Sequence, residues 1–304
     1  MVTVVLFISP DDAELVGLEC PDAGYQTVDI FRSNGGDGTG CWLPSAQVEP
    51  TEAPTSVPTQ VTAPEYEPAF EPADCPFELP AREIGALSVE CGHLVVPEDR
   101  SDPAGRTIRL AVAVLRHPGG APEPDPIIYL VGGPGGSILE IVSLTGVAPM
   151  FGPMMAANRD VILLDQRGVG YSQPVLDCPE FSDLYLDLLD FEIDGQELNP
   201  QERLDRKVQS LWACAEELRQ KADLTVYNSA ENAADVEDLR QALGYEQVNL
   251  WGASYGARLA LEVLRSHPQG LRSVMVEAVY PPEADLFLET PGDFERSLSL
   301  LIDE

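Results

Sequence analysis

A serine lies at the centre of a short glycine-flanked segment, Gly252-Ala253-Ser254-Tyr255-Gly256. The sequence predicts a strand over Gln247–Trp251 before it and a helix over Ala257–Ser266 after it. A serine on such a turn holds its hydroxyl clear of the sheet, and the flanking positions must be glycine because a side chain there would collide with backbone. This context predicts that Ser254 is a nucleophile and that the following helix N-terminus favours developing negative charge.

A second glycine-rich segment, Gly132-Gly133-Pro134-Gly135-Gly136, follows an apolar strand predicted over Ile127–Val131. Next to a serine turn of this kind, such a loop supplies a backbone N–H group to a developing oxyanion. A flexible turn and a phosphate-binding loop are the alternatives. The GxGxxG and GxxxxGK[ST] spacings are absent, and Pro134 lacks the N–H that a phosphate site would use. We therefore favour the oxyanion interpretation and expect the two loops to meet.

The chain offers no well-placed general base for this serine among its three histidines, His93, His117 and His267. The first two precede Ser254, and His267 ends the helix behind it, where an imidazole favourably meets the helix dipole. The acid and the histidine follow the serine in folds with this turn, and Glu277 and Glu283 are candidates for that acid that we do not favour. Because a serine without a base is a poor nucleophile, we expect the chain alone to be nearly inert.

The composition narrows the class of protein. The 304 residues carry a formal charge of −33 and only two lysines, so nucleic acid is not expected as a partner. Six cysteines without CxxC or metal-ligand spacing favour disulfides over zinc or thiol catalysis, and therefore an extracellular or cell-envelope location. No metal and no organic cofactor are indicated. Residues Met1–Ser9 are either the stump of a membrane segment or a strand, because they lack a basic region and a cleavage site.

Three regions are expected along the chain. Residues 1–42 form a small module or stump of unknown function, which offers a possible attachment to a membrane or envelope. Residues 43–80 are rich in Pro, Glu and Thr without apolar periodicity, which is typical of an extended linker. Residues 81–304 alternate strands and helices, which predicts a mainly parallel sheet flanked by helices.

Within this third region the first two strands are expected to be antiparallel, and a helical excursion is expected over 179–223. Only one strand is predicted after the serine helix, so the sheet is expected to lack its C-terminal strands and most of a cap. The predicted elements are strands at Leu87–Val96, Thr107–Arg116, Ile127–Val131, Val161–Asp165, Gln247–Trp251 and Leu271–Val279, and helices at 228–244, 257–266 and from Pro291 onward.

The chain resembles the α/β-hydrolases related to prolyl aminopeptidase and, more closely, the secreted tripeptidyl-aminopeptidase-like enzymes of peptidase family S33. Three ordered blocks carry the resemblance: Gly132–Ser137 (GGPGGS), Asp165–Ser172 (DQRGVGYS) and Gly252–Gly256 (GASYG). It extends from about Cys75 to the end of the chain. One departure is Val131, because prolyl aminopeptidases have His before the Gly-Gly-Pro-Gly. This weakens a strictly proline-specific interpretation and favours the tripeptidyl type or a general esterase.

The resemblance implies an acyl-enzyme on Ser254, oxyanion donors at the N–H groups of Gly133 and Tyr255, and a peptide or small ester substrate. Aminopeptidase-type hydrolysis is favoured, with an ester hydrolase or a non-catalytic binding protein as alternatives. Order and resemblance also imply the disulfides Cys20–Cys41, Cys75–Cys91 and Cys178–Cys214, although six cysteines permit about fifteen connectivities. The residues implied to shape the site are Gly132, Pro134, Gly135, Asp165, Arg167, Gly168, Gly252 and Gly256.

Overall fold

The computed structural model describes residues 3–8, 26–32, 37–42, 66–78, 88–188, 192–193, 196–279, 292, 294–296, 298–299 and 302. The strands are β1 (Thr3–Ile8), β2 (Gln26–Arg32), β3 (Asp37–Trp42), β4 (Ala69–Ala73), β5 (Ser88–Pro97), β6 (Thr107–Arg116), β7 (Ile127–Leu130), β8 (Val161–Leu164), β9 (Glu192–Ile193), β10 (Gln196–Glu197), β11 (Val248–Ala253) and β12 (Leu271–Glu277). The helices are α1 (Ile138–Thr145), α2 (Ala148–Met155), α3 (Pro179–Asp187), α4 (Pro200–Lys221), α5 (Ser229–Ala242) and α6 (Tyr255–Ser266).

Ten of these strands form one sheet in the order β3-β2-β1-β12-β11-β7-β8-β6-β5-β4. The six strands from β2 to β8 in this order are parallel to one another, and β3 pairs antiparallel with β2 at the edge. Beyond β8, the pairs with β6, β5 and β4 are antiparallel, which confirms the prediction for the first strands of the third region. The parallel strands β7 and β11 therefore lie at the centre and end at the same edge, called here the carboxyl edge.

Helices cover both faces of this sheet. Residues of α5 and α6 pack on one face with Ile128 and Leu130, while α1 and α2 pack on the other with Ile127 and Tyr129. Alternate residues of β7 therefore enter different cores, as the period of two in a strand requires. All four residues of β7 are buried, as expected for a parallel strand between two helical layers.

Asn228 and Glu231, three residues apart, form a pattern typical of a capping box, and only the Asn228 half of it is present at the start of α5. The side chain of Asn228 caps α5 by accepting hydrogen bonds from the N–H groups of Ala230 and Glu231. The carboxylate of Glu231 does not complete a capping box, because it pairs with Arg100 instead. A complete box occurs at the start of α4, where Asn199 and Glu202 cap each other's backbone. The serine helix α6 begins at Tyr255, two residues earlier than predicted.

The predicted excursion after β8 contains α3 and α4, and a disulfide joins Cys178 to Cys214 with a Cα–Cα distance of 5.8 Å. Cys75 and Cys91 form a second disulfide, with a Cα–Cα distance of 5.0 Å. The predicted Cys20–Cys41 pair lies outside the described side chains, as does most of the predicted linker.

The start of the chain is a strand, because β1 pairs in parallel with β12 from Thr3–Ser273 to Phe7–Glu277. Of the two interpretations of Met1–Ser9, a membrane stump or a strand, the structure has the strand. The boundaries of the three expected regions stay predictions. Among the described residues, no helix combines the length and the apolar character needed to cross a bilayer.

Candidate active site

Ser254 occupies the junction between β11 and α6 in a backbone conformation that is rare for a residue with a side chain. Its φ is 55° and its ψ is −118°, and such positive-φ conformations persist where the surroundings hold them in place. The Ser254 N–H donates to the carbonyl of Glu277 at 3.0 Å, and its carbonyl accepts from the N–H of Ala257 at 2.9 Å. The turn is therefore fixed from both sides, and the serine side chain is exposed.

The two glycines that flank the turn lie too close to backbone for any side chain. A Cβ on Gly252 would lie 2.6 Å from the carbonyl carbon of Gly256. A Cβ on Gly256 would in turn lie 2.6 Å from the carbonyl carbon of Leu130 at the end of β7. The collisions expected from the sequence are thus present, and they arise because the turn packs on itself and on the neighbouring strand.

The glycine-rich loop after β7 reaches the serine directly. A Cβ on Gly132 would lie 2.9 Å from the carbonyl oxygen of Ala253 and 3.0 Å from the Cβ of Ser254. The two glycine-rich loops therefore meet, as expected from the sequence. The loop then turns at Gly133, which has a φ of 53°, and the Gly133 carbonyl accepts from the N–H of Gly136 at 2.9 Å.

Two backbone N–H groups at this junction are free within the described part of the chain. Gly133 is exposed, and its N–H donates to no described acceptor. The N–H of Tyr255 is likewise unused because Tyr255 is the first residue of α6, where N–H groups have no partner within the helix. The site therefore holds an exposed hydroxyl beside two available donors. Pro134 and Gly135, which continue the loop, are also exposed.

Asp165 anchors the far end of the glycine-rich loop from its buried position after β8. Its carboxylate accepts hydrogen bonds from the hydroxyl of Ser137 at 2.8 Å, from the N–H of Leu139 at 3.2 Å and from the N–H of Tyr171 at 3.0 Å. Ser137 is in turn the N-cap of α1 and accepts from the N–H of Glu140. Burial raises the pKa of Asp165, although these hydrogen bonds oppose the shift.

The rest of the Asp165–Ser172 block folds tightly around this carboxylate. A Cβ on Gly170 would lie 2.6 Å from the Cβ of Ser137. The hydroxyl of Ser172 donates to the backbone carbonyl of Asp165 at 2.8 Å and accepts from the N–H of Ala111 at 3.0 Å. Gly168 has a φ of 79°. The block is therefore a compact support beneath the glycine-rich loop.

Arg167 connects this block to α5. Its buried guanidinium forms two parallel hydrogen bonds with the carboxylate of Asp235, at 2.7 and 2.8 Å. The same group donates to the backbone carbonyls of Glu98 and Val226 at 3.0 and 2.7 Å. These contacts account for Arg167 without any contact to the serine, in line with the structural role expected from the sequence.

The histidines lie away from the serine. His117 follows β6, which runs opposite to β8 and so ends at the edge away from Ser254, and His267 ends α6 at its far end. His93 lies within β5, where its ring nitrogen is 3.5 Å from Arg109. Burial and the Arg109 charge lower the pKa of His93. None of the three is placed to take a proton from the serine hydroxyl.

Several residues that shape the site were not identified from the sequence motifs. The carbonyl of Glu277 holds the Ser254 amide, and the side chain of Glu277 adds to burial in raising the pKa of Tyr129. Ser137 carries a readable signal, since Ser137-x-x-Glu140 before an apolar run is typical of a helix start. Asp235 carries no signal, because its partner Arg167 is 68 residues away in the chain.

Comparisons with known proteins agree with this geometry. The family model for the alpha/beta hydrolase fold matches residues 125–294. A tripeptidyl aminopeptidase of Streptomyces coelicolor is 30% identical over 200 residues, which are 65% of this chain and 36% of that protein. The serine protease Hip1 of Mycobacterium tuberculosis is 26% identical over 205 residues, which are 64% of this chain and 36% of that protein. A probable proline iminopeptidase of S. coelicolor is 28% identical over 160 residues, covering 53% of this chain and 34% of that protein.

The matches cover a small share of each relative but a large share of this chain. The aligned part spans about a third of the length of the three relatives. The family model, by contrast, covers more than half of this chain and includes the glycine-rich loop, the Asp165–Ser172 block and the serine turn. The chain belongs to the α/β-hydrolase fold family.

Proposed function

We propose that this chain carries the nucleophile of a serine hydrolase, specifically a secreted aminopeptidase-type peptidase that releases short N-terminal peptides or residues through an acyl-enzyme on Ser254. One observation carries the proposal. The exposed Ser254 is held at a φ of 55° on a strand-to-helix turn, directly against Gly132 of a loop whose next N–H group is free. A buried structural serine would need neither the strained backbone nor the adjoining donors.

The proposed chemistry uses groups of this chain for the nucleophile and the oxyanion. The Ser254 hydroxyl oxygen attacks the substrate carbonyl carbon, its proton passes to a general base, and the carbonyl oxygen becomes an oxyanion. The N–H groups of Gly133 and Tyr255 donate to that oxygen. The C–N bond then breaks, the amine leaves with the proton, and water hydrolyses the acyl-enzyme to restore the serine.

The general base and its acid are proposed to lie outside the residues of this chain, because its three histidines are remote from Ser254. We therefore expect the isolated chain to react slowly and the complete protein to react well. A serine that lacks its base retains only the rate enhancement of the oxyanion donors and of substrate binding.

The aminopeptidase assignment rests on the names of the relatives. Two of the three carry aminopeptidase or iminopeptidase names, and the third is named a serine protease. The Cys75–Cys91 and Cys178–Cys214 disulfides support an oxidising compartment, and hence an extracellular or envelope location. The N-terminal residues are proposed to attach the enzyme to a membrane or envelope.

Paired substrates test the proposal. The complete protein is given a tripeptide anilide with a free amino terminus, the same anilide N-acetylated, and a short acyl ester. The proposal predicts turnover of the free-amine anilide in preference to the acetylated one, and loss of all turnover in Ser254→Ala. Preference for the ester would favour a carboxylic ester hydrolase. Turnover that survives Ser254→Ala would contradict the assignment of the nucleophile.

A further inference from the structure

The side chain of Tyr255 connects the serine turn to the start of a second helix. Its phenol oxygen lies 3.0 Å from the hydroxyl oxygen of Ser229, within hydrogen-bond distance. Tyr255 is the first residue of α6, and Ser229 is the first residue of α5. The two helices pack on the same face of the sheet. The contact therefore joins them at their first residues, next to Ser254.

The hydroxyl of Ser229 has no other role in the described structure. The start of α5 is capped by Asn228, whose side chain accepts from the N–H groups of Ala230 and Glu231. Among the described residues, the contact with Tyr255 is the one hydrogen bond that the Ser229 hydroxyl makes. Ser229 and Tyr255 are both half-buried, and a hydrogen bond that is partly shielded from water is stronger than one on an open surface.

The peptide bond between Ser254 and Tyr255 carries one of the two N–H groups proposed as oxyanion donors. Helix α6 holds the carbonyl end of this peptide bond, because the Ser254 carbonyl accepts from the N–H groups of Ala257 at 2.9 Å and Arg258 at 3.3 Å. The N–H end has no partner within the helix, as at any helix start. The bond from the Tyr255 side chain to Ser229 therefore supplies a second restraint, since it limits rotation about the Tyr255 Cα.

Helix α5 is also connected to the support of the other proposed donor. Asp235, in the second turn of α5, forms two parallel hydrogen bonds with Arg167 at 2.7 and 2.8 Å. Arg167 belongs to the same block as Asp165, whose carboxylate holds the glycine-rich loop by accepting from Ser137 at 2.8 Å. One helix is thus joined to both sides of the oxyanion site.

We propose that Ser229 is a positioning residue for the oxyanion site, because it fixes the N–H group of Tyr255 through the side chain of that residue. Helix α5 then sets the spacing of the two donors, since Ser229 joins it to Tyr255 and Asp235 joins it to the support of the glycine-rich loop. Donors stabilise an oxyanion best when they already point to the place where it forms. This proposal rests on the proposed function, in which the Tyr255 N–H is an oxyanion donor.

Two substitutions remove the contact from opposite sides. Ser229→Ala and Tyr255→Phe each delete one hydroxyl. Fluorophosphonate labelling of Ser254 is measured in this chain at several reagent concentrations, which separates the maximal rate from the half-saturating concentration. Each variant should lower the maximal rate about 3- to 10-fold, against about 100-fold or more for loss of a donor, and leave the half-saturating concentration unchanged. The double variant should be no slower than either single variant, because both remove the same bond.

Two further variants separate positioning from a general effect on stability. Ser229→Thr keeps a hydroxyl and should label at close to the wild-type rate. Ser266→Ala removes a hydroxyl that donates to Glu262 at 2.8 Å at the far end of α6, so it should leave the rate unchanged. Urea denaturation of every variant reports the free energy of unfolding beside the labelling rate.

The outcomes that overturn the proposal are specific. An unchanged maximal rate in Ser229→Ala and Tyr255→Phe would show that the contact does not position the donor. Losses that add in the double variant, or equal slowing by Ser229→Thr or Ser266→Ala, would also overturn it. In each of these cases the wild type still labels at Ser254 and the proposed nucleophile stands. Absence of labelling at Ser254 in the wild type would instead contradict the proposed function, and this proposal with it.

Discussion

Asp165 accepts a hydrogen bond from the hydroxyl of Ser137 at 2.8 Å, and this contact joins the loop after β8 to the end of the glycine-rich loop after β7. Ser137 also begins α1, so the carboxylate fixes where that helix starts. The glycine-rich loop is therefore held at one end by β7 and at the other by Asp165. Its position against Ser254 depends on both.

Asp165→Asn should loosen this support. The carboxylate receives three hydrogen bonds, whereas an amide has a single acceptor oxygen and would turn an N–H group towards at least one donor. We expect the free energy of unfolding to fall by about 1–3 kcal/mol and fluorophosphonate labelling of Ser254 to slow. Urea denaturation and labelling rates measure the two effects. The exposed Asp205→Asn serves as the control and should change neither.

The contribution of the Asp165 carboxyl to stability depends on pH, and the Asp165→Asn variant, which cannot titrate at this position, serves as its reference. Burial raises the pKa of Asp165, so its folded form binds more protons than its unfolded form above the ordinary aspartate range near about 4. Its contribution to stability therefore declines as the pH rises through the raised pKa. The unfolding free energy of the wild type minus that of Asp165→Asn should shrink across this window and then become constant. A difference that grows with pH would contradict the direction.

Gly132→Ala tests the contact between the two loops. The added methyl group would lie 2.9 Å from the Ala253 carbonyl oxygen and 3.0 Å from the Ser254 Cβ. Such overpacking costs about 1–3 kcal/mol, and we expect slower labelling of Ser254 because the loop must shift. Gly152→Ala is the matched control, since a Cβ there meets nothing within 4 Å. The control should raise stability slightly and leave labelling unchanged.

Arg167→Lys tests the link between the Asp165–Ser172 block and α5. Lysine keeps the charge but cannot reproduce the paired hydrogen bonds to Asp235 together with those to two backbone carbonyls. We expect a loss of about 1.5–3 kcal/mol in the free energy of unfolding. Arg219→Lys, at an exposed pair with Glu216, should change it by less than about 0.5 kcal/mol. Equal effects of the two substitutions would contradict the conclusion that buried Arg167 stabilises the fold by joining the Asp165–Ser172 block to α5.

Removal of the two disulfides should have different consequences. Cys178→Ala with Cys214→Ala should increase proteolysis within the α3–α4 hairpin and leave core unfolding almost unchanged, because the hairpin buries few side chains. Cys91 instead is buried and belongs to the same core cluster as side chains of α1 and α2. Its removal together with Cys75 should lower the free energy of unfolding by about 2–4 kcal/mol. Limited proteolysis and urea denaturation distinguish the two cases.

Much of the fold follows from local sequence. The central strands are continuous apolar runs, and the serine turn combines a strand, two glycines and a helix, so both are readable from adjacent residues. The collision at Gly252 was predictable because the turn itself causes it. Gly132 and Gly256 are different, since only the pairing of β7 with β11 places Gly132 against Ser254 and Gly256 against Leu130.

The tertiary polar contacts are not readable in the same way. Glu231 shows this, because its position predicts a capping box but the approach of Arg100 draws its carboxylate away. Arg100 also pairs with Asp235 and Asp238 of α5. These two carboxylates come near Arg100 only after α5 packs on the sheet. Partners so distant in the chain leave no local pattern, so their identity depends on the assembled fold.

Site-resolved labelling tests the central claim most directly. The protein is treated with a fluorophosphonate, and the modified residue is identified by peptide mass analysis, with Ser254→Ala as the control. The account predicts a single phosphonylated site at Ser254, slow in this chain alone and faster in a complete protein that supplies a histidine base. Labelling of another serine, or equal labelling of Ser254→Ala, would contradict the account.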